Sequence, residues 1–430
     1  MNKSLFRTFL ALVASSVIFA QTGDDRIDNG LAAAIELAKV IGNDDFEGTM
    51  GTLVKSVTPY LGMVGPVIGL MFSVLREKKQ SPELMFMQEM LAKIERRFDK
   101  IDKKLEKVVQ EIRWSRVQTQ FVFYERKIQY LRHELDKLYK YNAVNKSEIK
   151  SLSDAFVNMF ESNYENSGQQ LYEHIVSGGS LFTSHLLNET IKASEYDRKK
   201  TQKFMLGLTE LVLAGSQIEM VYYKLKHSFY LHVIEAKWRR QINKMRLVME
   251  EVDRSFEKKS IFLNVAIENA KKILYVSKYK PYYTVVLSIY KKLRDKFYWR
   301  NWFVAIYDAV LGGDKHYANT CHGTWTMGYN GFNMLLASNP KSTEHLNIHV
   351  AKSIFQNVNL IYRVYKGWWR GYYTRDKYAQ EIFNEFPHLQ DCSSYSAFGV
   401  IRIDAHVYFQ AERSRLATVN RYPYVFFLFQ

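Results

Sequence analysis

Proline, glycine and cysteine are all scarce in this chain of 430 residues, which contains 7 Pro, 21 Gly and 2 Cys. So few helix-breaking residues argue against many short strands and turns, and they favour long uninterrupted helices. The cysteines are too few for a disulfide-rich scaffold. Their even number predicts one disulfide, between Cys321 and Cys392, with two buried thiols as the alternative. Such a bond would close a loop of about 70 residues and contribute roughly 4 kcal/mol.

The common sequence motifs of catalysis are also missing. There is no G-x-S-x-G nucleophile elbow, and the glycine-rich stretch "GGDKHY" contains no G-K-[ST] phosphate loop. His345 and His349 have the spacing of metal ligands on a helix, but no glutamate of an H-E-x-x-H motif lies between them. Glu210, inside an apolar helix, is expected to reach a polar rim or to pair with a lysine, with a buried functional carboxylate as the alternative. We therefore predict no enzymatic activity, no cofactor and no metal site.

Acidic residues are outnumbered by basic ones, 44 against 60, which gives a formal net charge of +16. Such an excess predicts binding to an anionic surface, either a membrane or a sulfated glycan or mineral. Nucleic acid is not an expected partner, because the chain contains no nucleic-acid-binding motif.

The first twenty residues resemble a secretory signal peptide. "MNKSLFR" is a positively charged start, "TFLALVASSVIF" is an apolar run too short for a comfortable membrane span, and Ala20 is a small residue suited to cleavage. An uncleaved amphipathic anchor is the alternative. Cleavage would remove Lys3 and Arg7 and lower the net charge from +16 to +14. We therefore predict a secreted, extracellular protein.

Charged residues are absent from one stretch, 56–75, within an N-terminal region predicted over 21–80. The stretch could just span the roughly 30 Å hydrocarbon core of a bilayer, although Pro59 and Pro66 are expected to kink or break a helix. It could be a permanent span, a buried core helix or hairpin, or a segment that is buried in solution and inserts later. The residues that would carry insertion are Tyr60, Gly62, Gly65, Pro66, Gly69, Met71 and Phe72.

A heptad pattern follows, in which apolar residues alternate spacings of three and four. Its seam consists of Leu84, Met87, Leu91, Ile94, Phe98, Ile101, Leu105, Val108 and Ile112. After a change of phase the pattern resumes at Val117, which predicts one helix over about 82–141, roughly 90 Å long. A helix of this length needs partners along its whole surface, and a second copy of the chain is one candidate.

The predicted fold is therefore mainly α, a long coiled-coil-like helical bundle over 81–299 with a C-terminal α+β domain over 300–430. Further helices are expected at 149–160, 168–176, 181–194, 197–227, 228–258 and 260–297. Beyond residue 300, β-branched and aromatic residues alternate, which predicts strands in "CHGTWTMGYNGFNMLLAS", "GVIRIDAHVYFQ" and "YPYVFFLF". Helices are predicted in "STEHLNIHVAKSIFQNVNLIYRVYKG" and "DKYAQEIFNEF".

Aromatic and basic residues interleave in "KGWWRGYYTR". This composition suits a membrane interface or the stacking of carbohydrate rings, although aromatics half-buried in a folded strand or turn would give the same sequence. The patch consists of Lys366, Trp368, Trp369, Arg370, Tyr372, Tyr373 and Arg375. Two N-glycosylation sequons begin at Asn145 and Asn188.

Several segments in this order resemble the rapunzel/cephalotoxin-like proteins. They are the apolar glycine-rich run, "SPEL" at the start of the heptad helix, "GGSLF", "AGSQIEMVYYKL", "FVAIYDAVLGGDKH" and the terminal "YPYVFFLF". The cephalotoxin side of the family includes secreted salivary toxins of cephalopods and secreted coral proteins. The resemblance therefore implies secretion and a helical architecture, and it supplies no catalytic residues.

Two functions remain open at this point. The first is a membrane-active protein of the α-helical pore-forming type, in which a helical bundle shelters 56–75 until lipid is met. The second is a non-toxic extracellular interaction or matrix protein, in which the apolar run is core and the basic helices bind glycans or mineral.

Overall fold

A computed structural model describes most of the chain. The described residues are 25–74, 88–92, 94, 96, 97, 99, 103, 106, 107, 117–140, 146–177, 186–321, 323–365, 371–392 and 395–430. They divide into two compact units, Met1–Ser255 and Phe256–Gln430. The first is helical and the second contains both helices and antiparallel sheets, which confirms the predicted fold class.

The first unit is built around one central helix, α7, whose residues are buried almost without interruption from Phe204 to Val221. The positions described between 88 and 107 are helical as well. The numbered helices are α1 (Asp25–Gly42), α2 (Phe46–Val74), α3 (Val117–Lys140), α4 (Lys146–Met159), α5 (Ser167–Val176), α6 (Leu186–Ala193), α7 (Arg198–Lys226) and α8 (Leu231–Ser255). Since α7 is hydrophobic on every side, each of its faces must be covered by another element. The helices α2, α3, α5 and α8 pack against it.

Only part of the predicted heptad seam lies among the described residues. Leu91 and Ile94 are both buried, with 3% of each side chain exposed. In α3, where the pattern resumes, Phe121, Ile128 and Leu131 are buried too. Leu84, Met87, Phe98, Ile101, Leu105, Val108 and Ile112 lie outside the described residues.

The second unit has four layers. Its helices are α9 (Lys259–Tyr275), α10 (Tyr282–Lys296), α11 (Ile348–Gln356) and α12 (Ala379–Asn384). Its strands are β1 (Arg300–Asp308), β2 (His316–Thr320), β3 (Thr324–Tyr329), β4 (Phe332–Pro340), β5 (Ile361–Tyr365), β6 (Tyr372–Asp376), β7 (Ala397–Arg402), β8 (Tyr408–Gln410), β9 (Leu416–Arg421) and β10 (Tyr424–Phe429).

Two four-stranded antiparallel sheets, ordered β3-β4-β1-β8 and β2-β7-β10-β9, form the middle layers. In β1 the side chains of Phe303 and Ala305 face the other sheet, whereas Trp302 and Val304 face α9 and α10. The outer face of the second sheet is covered by α11 and α12. β1 is therefore buried on both faces, which explains its continuous apolar run rather than an alternating one.

This unit begins at Phe256, whereas the sequence placed the start of the C-terminal domain at residue 300. The physical reason is that α9 and α10 bury their apolar faces on the first sheet, for example through Phe262, Leu274 and Val285. Their helical periodicity alone could not show whether they pack on helices or on a sheet.

Two secondary-structure predictions in this region are wrong in detail. The sequence predicted one strand over 399–410. In the structure β7 ends at Arg402 and a 3-10 turn follows over Ile403–Ala405. The next strand, β8, belongs to the other sheet. The chain turns at His406, which has a left-handed φ of 46°. The predicted helix in 342–367 is confined to α11, and β5 pairs with β6 instead.

Candidate membrane-insertion site

The apolar stretch forms the second half of α2, one helix of 29 residues that follows the short turn after α1. Asp45 caps its start, since its Oδ1 accepts from the Gly48 N–H at 2.9 Å. Pro59 and Pro66 both lie inside the helix. Of the predicted kink or break, the break is therefore wrong, since the helix continues through both prolines. A proline costs a helix interior about 3 kcal/mol, and packing of this half against its neighbours offsets that cost.

The two halves of α2 differ in exposure. Up to Pro59 the helix is amphipathic, with Gly51, Val54 and Thr58 exposed, whereas Tyr60 to Gly65 are all buried. Of the proposed insertion residues, Tyr60, Gly62, Gly65 and Met71 are buried, while Pro66 and Gly69 are half-buried. Phe72 belongs to the helix, but its side chain lies outside the described part.

The glycines of α2 are not equivalent. A Cβ placed on Gly65 would lie 2.6 Å from Cδ2 of Leu231, so this glycine makes room for α8. A Cβ on Gly69 would be 4.0 Å from Cε and Nζ of Lys224, which is an ordinary contact. The G-x-x-x-G step thus meets side chains of other helices, and Gly69 tolerates a small side chain in the folded protein.

The closest approach to α2 comes from α1. A Cβ on Gly30 would lie 2.3 Å from Cβ of Met63 and 2.7 Å from the carbonyl oxygen of Pro59. Such a contact is possible only without a side chain at residue 30. It joins α1 and α2 into a tight hairpin, and sequence reasoning missed it because the partner of Gly30 is distant in sequence.

A buried polar contact links this hairpin to the central helix. The Tyr60 hydroxyl donates to Oε1 of Gln217 on α7 at 3.1 Å. Gln217 Nε2 in turn donates to the Tyr139 hydroxyl of α3 at 3.2 Å. If α2 moved away, Gln217 would therefore keep its hydrogen bond to Tyr139.

Two of the described helices, α2 over Phe46–Met71 and α7, are long and apolar enough to cross a membrane by length and composition. The core helix of a soluble protein meets the same criteria. Buried charges assign α7 to the core. Arg132 of α3 donates to Glu210 at 3.0 Å, and Arg198 forms a two-pronged pair with Asp253 of α8 at 2.8 and 2.6 Å.

Glu210 is thus completely buried and paired with an arginine, whereas the sequence predicted a polar rim or a lysine. A second carboxylate of α7, Glu219, accepts from Trp238 Nε1 at 2.9 Å. Burial raises the pKa of Glu219, and Lys237 opposes that shift only in part. Neither the Arg198–Asp253 pair nor Glu219 has a distinctive local sequence signal.

The middle of the chain matches a known family. Residues 77–279 match the family of the cephalotoxin-like middle helical domain. This region, just under half of the chain, is cephalotoxin-like. The matched region contains α3 to α9, and it starts just after α2 ends. Comparison with curated proteins and with solved structures gave no match.

The cephalotoxin-like domain thus includes α7 with its buried ion pairs, while α2 and every strand among the described residues lie outside it. Asn188, the start of one predicted sequon, is exposed on α6 of this domain. Asn145 lies outside the described residues.

Beyond the cephalotoxin-like domain, Cys321 and Cys392 form a disulfide across 71 positions of sequence. His345 and His349 are exposed, and His345 Nδ1 lies 2.9 Å from the Ser414 hydroxyl. Within the described part of the chain, no group of three or more His, Cys, Asp or Glu side chains could hold a metal ion.

The described residues of the aromatic and basic patch lie on β6. Tyr372 and Tyr373 are exposed, and Arg375 is held between Glu381, at 2.6 and 2.8 Å, and the ring of Tyr378. Lys366, Trp368, Trp369 and Arg370 lie outside the described residues.

Proposed function

We propose that this cephalotoxin-like chain is a secreted, membrane-active protein of the α-helical pore-forming type. In solution α2 is held against α7 and α8. On contact with lipid, the 56–75 segment leaves this position and inserts. The observation that carries the proposal is the contrast within α2 between an amphipathic first half and an uncharged second half that packs through small residues.

Length and chemistry both support insertion of this half. The 19 residues from Ser56 to Val74 carry no charge and would be about 28 Å long, close to the roughly 30 Å of a hydrocarbon core. By contrast, inserting α7 would move Arg198, Glu210 and Glu219 into lipid and break their pairs. Moving charged side chains into a bilayer costs free energy.

Secretion is supported by three independent features. The first twenty residues have the composition of a signal peptide, the chain holds a disulfide, and its middle region is cephalotoxin-like. Disulfides persist in oxidising compartments and are rare in the cytosol.

Leakage of dye from anionic vesicles tests the proposal through one charge placed on α2. Gly69→Asp has room in the folded protein, and the new carboxylate would lie beside Lys224. In a bilayer the same charge costs roughly 2.5–3.5 kcal/mol per chain on insertion scales. We therefore expect Gly69→Asp to abolish leakage at unchanged melting temperature.

Two variants serve as controls. Gly51→Asp puts the same charge on the same helix at a site with open space but outside the inserting segment, and should retain leakage. Gly69→Ala changes volume without charge and should also retain it. Equal leakage from Gly69→Asp and Gly51→Asp would contradict insertion of 56–75.

The second candidate is an extracellular interaction protein that binds sulfated glycans or mineral. It is favoured by the net charge of +16 and by the burial of Tyr60 to Gly65 in α2. Retention on heparin resin without leakage from any anionic vesicle would support it and contradict the first proposal.

A further inference from the structure

One end of the second unit collects strand termini from both sheets. In the first sheet, the last residue of β1, Asp308, pairs with the first residue of β4, Phe332, and the β3–β4 turn lies beside them. In the second sheet, Arg402, at the end of β7, pairs with Tyr424, at the start of β10. The two sheets meet here, because the Tyr307 hydroxyl lies 2.8 Å from Nδ1 of His316.

The loop between α9 and α10 lies at this same end. Asn330 Nδ2, in the β3–β4 turn, donates to the carbonyl oxygen of Leu274 at 3.0 Å. The Tyr282 hydroxyl, at the start of α10, donates to Asp308 at 2.7 Å. Residues 275–281 are therefore fixed beside the ends of β1 and β3.

Large apolar side chains protrude from this end although they are distant in sequence. Tyr279 is 93% exposed and Tyr422, in the β9–β10 turn, is 85% exposed. Further exposed apolar residues of the α9–α10 loop, the β1–β2 loop and β3 lie at the same end. We call this surface the aromatic end and define it by Tyr275, Val276, Tyr279, Leu311, Met327 and Tyr422.

The opposite end differs in character. Cys321 and Cys392 lie there, and the Cys321 N–H donates to the carbonyl oxygen of Ser396, which precedes β7. Lys341, Glu344 and Glu412 are among its exposed residues. An apolar surface rimmed by polar residues on one side of a domain is typical of an interaction site.

Basic residues flank and occupy the α9–α10 loop of the aromatic end. From residue 269 to 294 the chain contains seven basic residues and no acidic one, and Lys278 and Lys280 are exposed within the loop itself. Of the nearby carboxylates, Asp404 pairs with Arg402 at 3.2 Å, and Asp308 accepts from Tyr282 and lies 2.7 Å from Nδ1 of His406. Asp314, also exposed, is followed directly by Lys315.

We propose that the aromatic end docks onto the headgroup region of an anionic membrane. Tyrosine rings and lysines share that region in membrane proteins, the ring in the interface and the ammonium at the phosphates. Exposed aliphatic side chains such as Val276, Leu311 and Met327 gain free energy when they enter lipid. They have no aromatic ring with which to stack on a sugar. Tyr279 is 93% exposed, so no surrounding side chains form the walls of a concave ligand site around it.

The biological role of this docking surface rests on the proposed membrane activity. The surface itself is a separate site from α2. It would bind the protein to the membrane before α2 inserts. Binding and leakage can therefore be measured apart, on the full-length protein.

Co-sedimentation with phosphatidylcholine/phosphatidylserine vesicles tests the docking surface. Lys278→Ser combined with Lys280→Ser should weaken binding about 20- to 30-fold at low salt, from about 1 kcal/mol for each lysine at an anionic surface. The matched control is Lys291→Ser with Lys292→Ser, exposed on α10. Lys291 and Lys292 lie about 12 Å further along α10 than Tyr283, which is more than a Debye length of about 8–10 Å. Replacing them should therefore weaken vesicle binding much less.

A label on a single introduced cysteine tests the depth of docking. Because the two native cysteines form the disulfide, Tyr279→Cys and Val350→Cys can each be labelled selectively with an environment-sensitive fluorophore. Val350 is exposed on α11 and is not part of the aromatic end. We expect a blue shift and quenching by brominated lipid at residue 279 and neither at residue 350.

The outcomes separate this inference from the proposed function. Weaker vesicle binding by the Lys278/Lys280 variant, with heparin retention unchanged, supports docking on lipid whether or not the protein causes leakage. Unchanged vesicle binding, or loss of heparin retention alone, overturns it. Docking without leakage from the native protein would support this surface and contradict insertion of α2.

Discussion

At the scale of single residues, Glu219 gives the first unit a dependence on pH. Its pKa is raised above the ordinary value of 4.5, mainly because burial removes the carboxylate from water. Since the folded state then binds the proton more tightly than the unfolded state, the free energy of unfolding falls as pH rises above about 4.5. Below that pH the carboxyl is protonated in both states, and the penalty disappears.

Glu219→Gln should therefore raise the melting temperature at pH 7 and change it little at pH 4. The amide can still accept from Trp238 Nε1 and carries no charge to desolvate. Circular dichroism melts at both pH values check this, with the exposed Glu251→Gln as control. A gain of equal size at the two pH values would show that the cost of Glu219 is not its charge.

At the scale of elements, the helical positions between 88 and 107 supply part of the core. Ile94→Asp should destabilise the first unit by about 3 kcal/mol or more, since an unpaired carboxylate would be buried. That is a large share of a typical stability of about 5–15 kcal/mol. The urea midpoint measures it, and Lys103→Asp, which places a carboxylate at an exposed position of the same segment, should have little effect. Similar midpoints for the two variants would mean that residue 94 is not core.

Element by element, the sequence predicted what local pattern controls. The 3.6-residue period indicated the helices from α4 to α8. The run "YPYVFFLF" indicated β10, because a strand that is covered by the other sheet on one face and by α11 and α12 on the other is apolar throughout. The course of α2 through two prolines was not predictable, since it depends on packing against α1, α7 and α8. The hairpin contact between Gly30 and Met63, the pairing of Arg198 with Asp253, and the gathering of Tyr279 and Tyr422 at one end all depend on tertiary proximity.

At the scale of the whole molecule, the disulfide belongs to the second unit alone. Replacing both cysteines by serine removes a cross-link worth about 4 kcal/mol for a loop of this length. We expect hydrogen exchange to speed up in β7 and β10 while α7 keeps its protection. Equal loss of protection in α7 would show that the two units unfold as one.

The central claim is that the second half of α2 leaves a buried position and enters lipid. Gly69→Cys and Gly51→Cys place a single reactive thiol at two sites of this helix that have room for a side chain. Gly69 lies inside the uncharged segment and Gly51 lies outside it. Each would carry a nitrobenzoxadiazole label, and its emission would be recorded while anionic vesicles are added at constant protein concentration. We predict that the label at residue 69 shifts to the blue and is quenched by lipids brominated near the middle of the acyl chain, while the label at residue 51 is not quenched by them. A protein that sediments with the vesicles while the emission of residue 69 stays unchanged would contradict the claim.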